Sequence, residues 1–451
     1  MIRVSRGFGA GRVRRAALTV LVAGLLAGCA DDDPIIQGER EPVRPNEAAI
    51  EADLAARARP ISLPAPVANQ DWTHANGSAD GRRVHAALAP VPQMRWTADI
   101  GQGDDKRNRI TTTPVVAGGL IFVMDSHVRV SAHNTSGARV WTAGLVPEGQ
   151  DPENGFGGGM AVAGGSLFVT TGFGEVISVG AATGQVRWRR QFDAPIRSAP
   201  SVRDGRVYVV LRNDTALALD AGSGETVWEK EGYGGSAGLL GGASIAVDGS
   251  VAVVPFSTGE VLGLSPRTGL QQWGTAITGG RGTLARGQIN DISGDPVISG
   301  GFVTASSQNG RTIRVNKSTG ERIWTAVEGA YGPAWPVGGS LFIVSDRAEL
   351  VRLNAADGSV IWSQTLPQLF PNTGWFGNEK TPYLAIPHYG PVLAGGRLWI
   401  AGGDAMLRAF DPVDGRQVAE IALPDGAAAS PVVAGGVMYV VGTEGQLHAL
   451  R

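Results

Sequence analysis

One unit recurs along most of this chain, and its regularity constrains the fold more than any other feature. Each unit begins with a proline or small residue, passes through an alternating apolar strand to Gly-Gly or Asp-Gly, and continues into a second apolar strand. A polar turn, a third strand and a glycine turn then lead to a strand carrying tryptophan. Pro114-Val-Val-Ala-Gly-Gly-Leu-Ile-Phe-Val, Pro200-Ser-Val-Arg-Asp-Gly-Arg-Val-Tyr-Val and Pro431-Val-Val-Ala-Gly-Gly-Val-Met-Tyr-Val are three copies of its opening half. The turn glycines before the last strand are Gly137, Gly184, Gly224, Gly269, Gly320, Gly358 and Gly415, about 46 residues apart on average. That is the length of a four-stranded propeller blade.

The region 67–451 holds a little over eight such units. The chain ends on three strands, from Ser430 through Leu450, without the tryptophan strand that should follow. An orphan strand, Gln93-Met94-Arg95-Trp96, lies near the start of the region. Pairing the two would complete an eighth blade and leave no open sheet edge. The expected fold is therefore all-β: an eight-bladed β-propeller of four-stranded blades, closed by pairing an N-terminal strand with the C-terminal three strands. Trp96, Trp141, Trp188, Trp228, Trp273, Trp324 and Trp362 share one blade position, and Ala419 stands in the eighth. A flat ring recurring there reads as packing between blades rather than chemistry. Many of the 66 glycines among 451 residues are accounted for by these turns, and 43% hydrophobic content supplies a core.

The N-terminus reads as an address and an anchor. Arg3, Arg6, Arg12, Arg14 and Arg15 precede an apolar run from Ala16 to Ala27 that is too short to span a bilayer. Leu26-Ala27-Gly28-Cys29 follows, and Cys29 is the one cysteine in the sequence. This resembles the bacterial lipobox, which implies acylation of Cys29 after removal of residues 1–28. By the same resemblance, Ala30 after the cysteine implies sorting to the outer membrane. Residues 29–66 then read as the acylated cysteine and a proline-rich flexible tether, and 67–451 as the propeller. Without residues 1–28 the chain has 34 basic and 41 acidic side chains, which argues against nucleic acid as a partner.

Motifs for chemistry are scarce. Gly234-Gly235-Ser236-Ala237-Gly238 matches Gly-x-Ser-x-Gly, but no helical pattern follows to build the elbow a nucleophilic serine needs. The six histidines have no metal-ligand spacing, and no phosphate-binding glycine loop precedes a Lys-Ser or Lys-Thr pair.

The segment Ala218-Leu219-Asp220-Ala221-Gly222-Ser223-Gly224-Glu225-Thr226-Val227-Trp228 resembles the tryptophan-docking motif of pyrroloquinoline-quinone (PQQ) enzymes and their non-enzymatic relatives. An enzyme of that kind is the alternative reading. As a family those enzymes add a calcium site and often a vicinal disulfide, and a sequence whose one cysteine sits in a lipobox has no such disulfide. With the lipobox and tether, the repeats are similar to the BamB family, lipoprotein subunits of the outer-membrane β-barrel assembly machinery. That resemblance implies a scaffold without cofactor, metal or catalytic residue, which binds the periplasmic POTRA domains of BamA, alongside other subunits, and assists barrel insertion. Gly280-Arg281-Gly282-Thr283-Leu284 through Asn290-Asp291-Ile292-Ser293-Gly294-Asp295-Pro296 resembles the family's long interblade loop. It implies partner contact by Asp291, and by Leu239 and Leu240 in the preceding loop, although Leu240 and Ser293 stand where relatives carry charge. The other reading of these residues is that the leucines cover the core and Asp291 caps a turn.

Overall fold

The computed structural model describes residues 59–155, 157–196, 198–234, 242–280, 289–370 and 385–451. Among them are eight antiparallel four-stranded sheets, the eight blades expected. Blades 1 to 7 span residues 115–144, 159–191, 201–231, 246–276, 294–326, 335–365 and 388–422. Blade 8 is made of Val432–Ala434, Val437–Val441 and Gln446–Leu450, with Met94–Asp99 as its outer strand. The closure pairs Trp96↔Ala449 through Asp99↔Gln446, with a bulge between Met94, opposite Leu450, and Trp96. It is latched by a relay in which Thr97 Oγ1 lies 3.0 Å from His448 Nδ1, and the buried His448 Nε2 lies 2.5 Å from the Asp425 carboxylate.

The blades are joined by a repeated seat. A bulge precedes each tryptophan, as where Ala132 pairs with Trp141 but His133 with Arg139, and turns the indole toward the next blade. There it lies on that blade's turn glycine: Trp141 on Gly184, Trp188 on Gly224, and so on to Trp362 on Gly415. A Cβ at any of the seven glycines would come within 2.7–2.9 Å of the ring. Six of the seven indole N–H groups donate to a carbonyl of the same turn at 2.7–3.1 Å, beginning with Trp96 to Thr135 O. The exception, Trp362, faces a turn whose Val413 carbonyl is taken by Arg352. The seat also explains Ala419. In blade 8 the third and fourth strands come from opposite ends of the chain, so no glycine turn joins them and nothing there would receive an eighth indole.

Residues 59–92 carry no blade pattern, and the structure gives them a role that the sequence reading left open. Asn69 to Ala86 form a strap inside the ring, where the first strands of neighbouring blades lie side by side. The strap meets each blade in turn. Gly435 N donates to Asn69 O in blade 8, and Val116 N to Trp72 O in blade 1. Val162 N donates to Thr73 O, Val202 N to His74 Nε2, Val247 N to Ala79 O and Ile298 N to Asp80 O, in blades 2 to 5, at 2.7–3.0 Å. In blade 6 the equivalent residue is Pro336, which has no N–H to give. There Arg83 instead donates to the carbonyls of Pro333 and Ala334 and lies 4.3 Å over the Trp335 ring. Gly395 N donates to Ala86 O in blade 7. The packing begins as early as Arg59 and Pro60, whose carbonyls accept from Arg352, inside the span read as tether.

Gly184 and Gly165 have nearly the same positive φ, but Gly165 faces open space whereas Gly184 lies against Trp141. Alanine at Gly165 should cost only the left-handed strain of about 1 kcal/mol. Gly184→Ala should lose a further 1–3 kcal/mol, roughly, from overpacking the seat. Urea midpoints of the two variants measure the difference.

Candidate functional site

An up-and-down blade puts its 2–3 turn and the loop to the next blade on one face, and its 1–2 and 3–4 turns on the other. The strap and residues 59–62 lie toward the second, or turn, face: Gly118, Gly338 and Gly435, all in 1–2 turns, are among their neighbours. The opposite, loop face carries the conspicuous aspartates, and most of them are staples. Asp125 accepts from the N–H groups of Gln102, His127 and Arg129. Asp214 accepts from Ser257 N and Oγ of the next blade, Asp346 from Gly329 N, and Asp425 from Glu444 N and His448. Short acidic side chains recur there because each satisfies loop N–H groups that no strand reaches.

Asp291 lies on this face, 7% exposed, beside a small recess of about 40 Å³ walled by Ser198, Leu211, Arg212, Asp214 and Ile292. Its carbonyl accepts from Ser307 Oγ at 3.1 Å. Leu239, Leu240 and Cys29 lie outside the described residues, as do Ser236 and most of its motif. The face also exposes Tyr233 (87%), Val327 (60%), Tyr331 (48%) and Leu369, all in interblade loops. Sequence reasoning passed over these four because nothing marked their loops as exposed apolar surface. Isolated aromatic and aliphatic residues in polar loops were the available signal.

The mouth of the channel opens on the same face as a recess of about 150 Å³, floored by Ala75 of the strap and lined mainly by small residues such as Thr111, Gly159, Ser198 and Ser244. Its one ionisable carboxyl belongs to Asp295, which accepts from Asn76 Nδ2 and Ser244 N. Burial pushes this carboxyl above the usual range, opposed by those two bonds and by Arg83. Burial likewise lowers Arg83 to about 9. His74 is lowered to about 4 by burial, against the opposing Val202 bond and Asp80. Because its Nε2 accepts from Val202 N, the neutral ring carries its proton on Nδ1, beside Thr73 Oγ1 at 2.9 Å. These groups bind the strap to the blades. A tricyclic quinone cofactor does not fit what they leave: ligand sites run to roughly 300–1,000 Å³, and the described residues gather no group of three or more metal-binding side chains. Thr97, His448 and Asp425 have the reach of a nucleophile, base and acid, but His448 is fully buried within blade 8 and the pair bridges its closure.

Fold and channel together define a class: an eight-bladed, PQQ-like propeller whose channel is closed by its own strap and whose loop face is open. The family model described as "Outer membrane protein assembly factor BamB" matches residues 124–364 and 372–451, and the chain belongs to that family. Similar curated proteins include the outer membrane protein assembly factor BamB of Moranella endobia, 24% identical over 75% of this chain and 84% of that one. BamB of Shewanella oneidensis is 25% identical over 74% and 83%. Among solved structures, BamB from Moraxella catarrhalis superposes with a TM-score of 0.64 at 17% identity, covering 80% of this chain and all of that one. The quinohemoprotein alcohol dehydrogenase of Comamonas testosteroni reaches the same TM-score at 15% identity, covering 85% and 81%, a likeness of fold.

His74 predicts a pH response. Its folded pKa of about 4 lies below the ordinary 6.5, so the unfolded chain takes up the proton first. The strap's contribution is complete above pH 6.5 and declines as pH falls toward 4, by on the order of 3 kcal/mol. His74→Gln should flatten that part of the stability profile relative to the unaltered chain, as read by urea unfolding at pH 7 and pH 5.

Proposed function

We propose that this protein is a non-enzymatic scaffold of the outer membrane that assists the assembly and insertion of β-barrel proteins. In this reading residues 1–28 are removed, Cys29 is acylated and holds the protein on the periplasmic face, and residues 29 to about 58 form the tether. The loop face binds the POTRA domains of BamA, within the assembly machinery. The observation that carries the reading is the division of labour between the two faces. The described chain begins on the turn face and fills the channel with its own residues 69–86, which leaves the loop face clear for a protein partner. Tyr233, Val327, Tyr331 and Leu369 give that face amphipathic contact area of the kind that anchors interfaces. The relatives named as outer membrane protein assembly factors support the same role. Asp291, with Leu239 and Leu240, belongs to this proposed surface, Asp291 as a wall residue beneath the exposed ones.

The interaction is tested by co-purification from detergent-solubilised membranes, which should recover a β-barrel protein with periplasmic repeat domains. Tyr233→Ser combined with Tyr331→Ser should cut recovery at least tenfold, about 1.4 kcal/mol or more, while the melting temperature stays within about 2 °C because both side chains are exposed. Recovery of no barrel protein by the unaltered chain, or equal recovery by the double variant, would refute the reading.

A further inference from the structure

The propeller's repeat makes it possible to compare one position across all eight blades. The third-strand residue that pairs with the docking tryptophan, or with Ala419, is small in six of them: Ala132, Ser178, Ala218, Gly263, Ala409 and Ala449. In blades 5 and 6 it is arginine, Arg314 opposite Trp324 and Arg352 opposite Trp362. Both stand two residues before the 3–4 turn, near the turn face.

Arg352 shows what a guanidinium does there. Its Nε donates to Ser340 Oγ at 2.9 Å, its Nη1 to Val413 O and Arg59 O at 3.0 Å, and its Nη2 to Pro60 O at 3.4 Å. It grips the next blade and an extended segment lying across the junction. Arg314 occupies the same place one blade earlier with a different neighbour, because Phe302 stands where blade 6 has Ser340. The guanidinium carbon lies 4.4 Å over the Phe302 ring, and the buried Nε and Nη1 have no hydrogen-bond partner among the described residues. The residue is 9% exposed. Burial lowers its pKa, and no described carboxylate offsets the charge. Of the other buried arginines, Arg83 donates to two carbonyls although its Nε is also unbonded, Arg352 donates to three carbonyls and a serine, and Arg408 pairs with Asp404 and Glu420, whereas Arg314 has two unbonded nitrogens and no bonded partner of either kind among the described residues.

A sheltered cation stacked on an aromatic face, with N–H groups that no other described residue takes, is complementary to a single oxyanion. We propose that Arg314 and Phe302 form an oxyanion site at the junction of blades 5 and 6, taking a phosphate or carboxylate group. Planar, forked donors suit either. A headgroup phosphate and an acidic group of a protein are the two sources that would bring such an anion to this face.

The test uses the mature chain with ¹⁵N-labelled arginine, titrated with inorganic phosphate and with acetate at constant ionic strength. The Arg314 Nε–H resonance should shift and saturate, while that of Arg352, already bonded, stays in place. Arg314→Met, which keeps the stacking on Phe302, should abolish the rise in urea midpoint that phosphate gives the unaltered chain. If that variant does not fold, Arg314→Lys, which retains the charge but lacks the fork, should weaken the phosphate response. Sedimentation with phosphatidylglycerol against phosphatidylcholine vesicles tests the source: retention on the former that Arg314→Met loses indicates headgroup phosphate, and no retention excludes it. An Arg314 resonance unmoved by both anions, or equal stabilisation of Arg314→Met by phosphate, would overturn the proposal.

Discussion

The indole resting on the next blade's glycine is the contact on which the ring depends. A four-stranded blade buries its flat faces only against its neighbours, so each junction must be close and alike. A large planar ring on one side and a residue without Cβ on the other meet that need, and the indole N–H is satisfied by the turn carbonyl it reaches. The left-handed φ of the turn makes glycine doubly suitable. Seven such seats serve seven of the eight junctions; the one between blades 7 and 8 has none, and the ring's closure by backbone pairing lies within blade 8. The absence of an indole at Ala419 follows from the chain break, where no glycine turn exists to receive one.

Once the ring is closed, its inner edges become the problem. Every first strand presents N–H and C=O groups to the centre, and water or a ligand satisfies them in an open channel. Here the chain's own residues 69–86 take most of that role, in order around the ring, with Arg83 standing in where Pro336 has no N–H to offer. The polar cluster of His74, Asn76, Arg83 and Asp295 is consequently a fastening, and its shifted pKa values come from burial. A perturbed acid in a channel is a frequent marker of catalysis. In this molecule each such group has a partner in the strap or the blades. The loop face is left clear of the strap and carries the exposed Tyr233, Tyr331 and Leu369.

How much of this could be read from residues alone depends on whether side chains or backbone carry the interaction. Blade number, strand order and closure were legible because glycine and tryptophan recur at fixed positions. The strap was not, since its bonds are made mostly by main-chain groups of Asn69, Trp72, Thr73, Ala79 and Asp80, which leave no residue signature. One hint existed: Trp72, within the strap, and Trp335, under Arg83 of the strap, lie outside the docking set, and both are buried. At the candidate surface, Asp291 was found by resemblance and proves to be a wall residue, whereas exposed Tyr233 and Tyr331 belong to no motif. The difference between Arg314 and Arg352 became visible only when their surroundings could be compared.

The central claim is that the two faces have separate tasks, the turn face receiving the chain's own N-terminal segment and the loop face receiving the partner. A photo-crosslinking amino acid placed at Tyr233 on the loop face and, separately, at Leu270 on the turn face tests this in intact cells, since both side chains are exposed. The account predicts a crosslink to a β-barrel protein with periplasmic repeats from position 233 and none from position 270. A crosslink to that protein from position 270, with none from position 233, would contradict it.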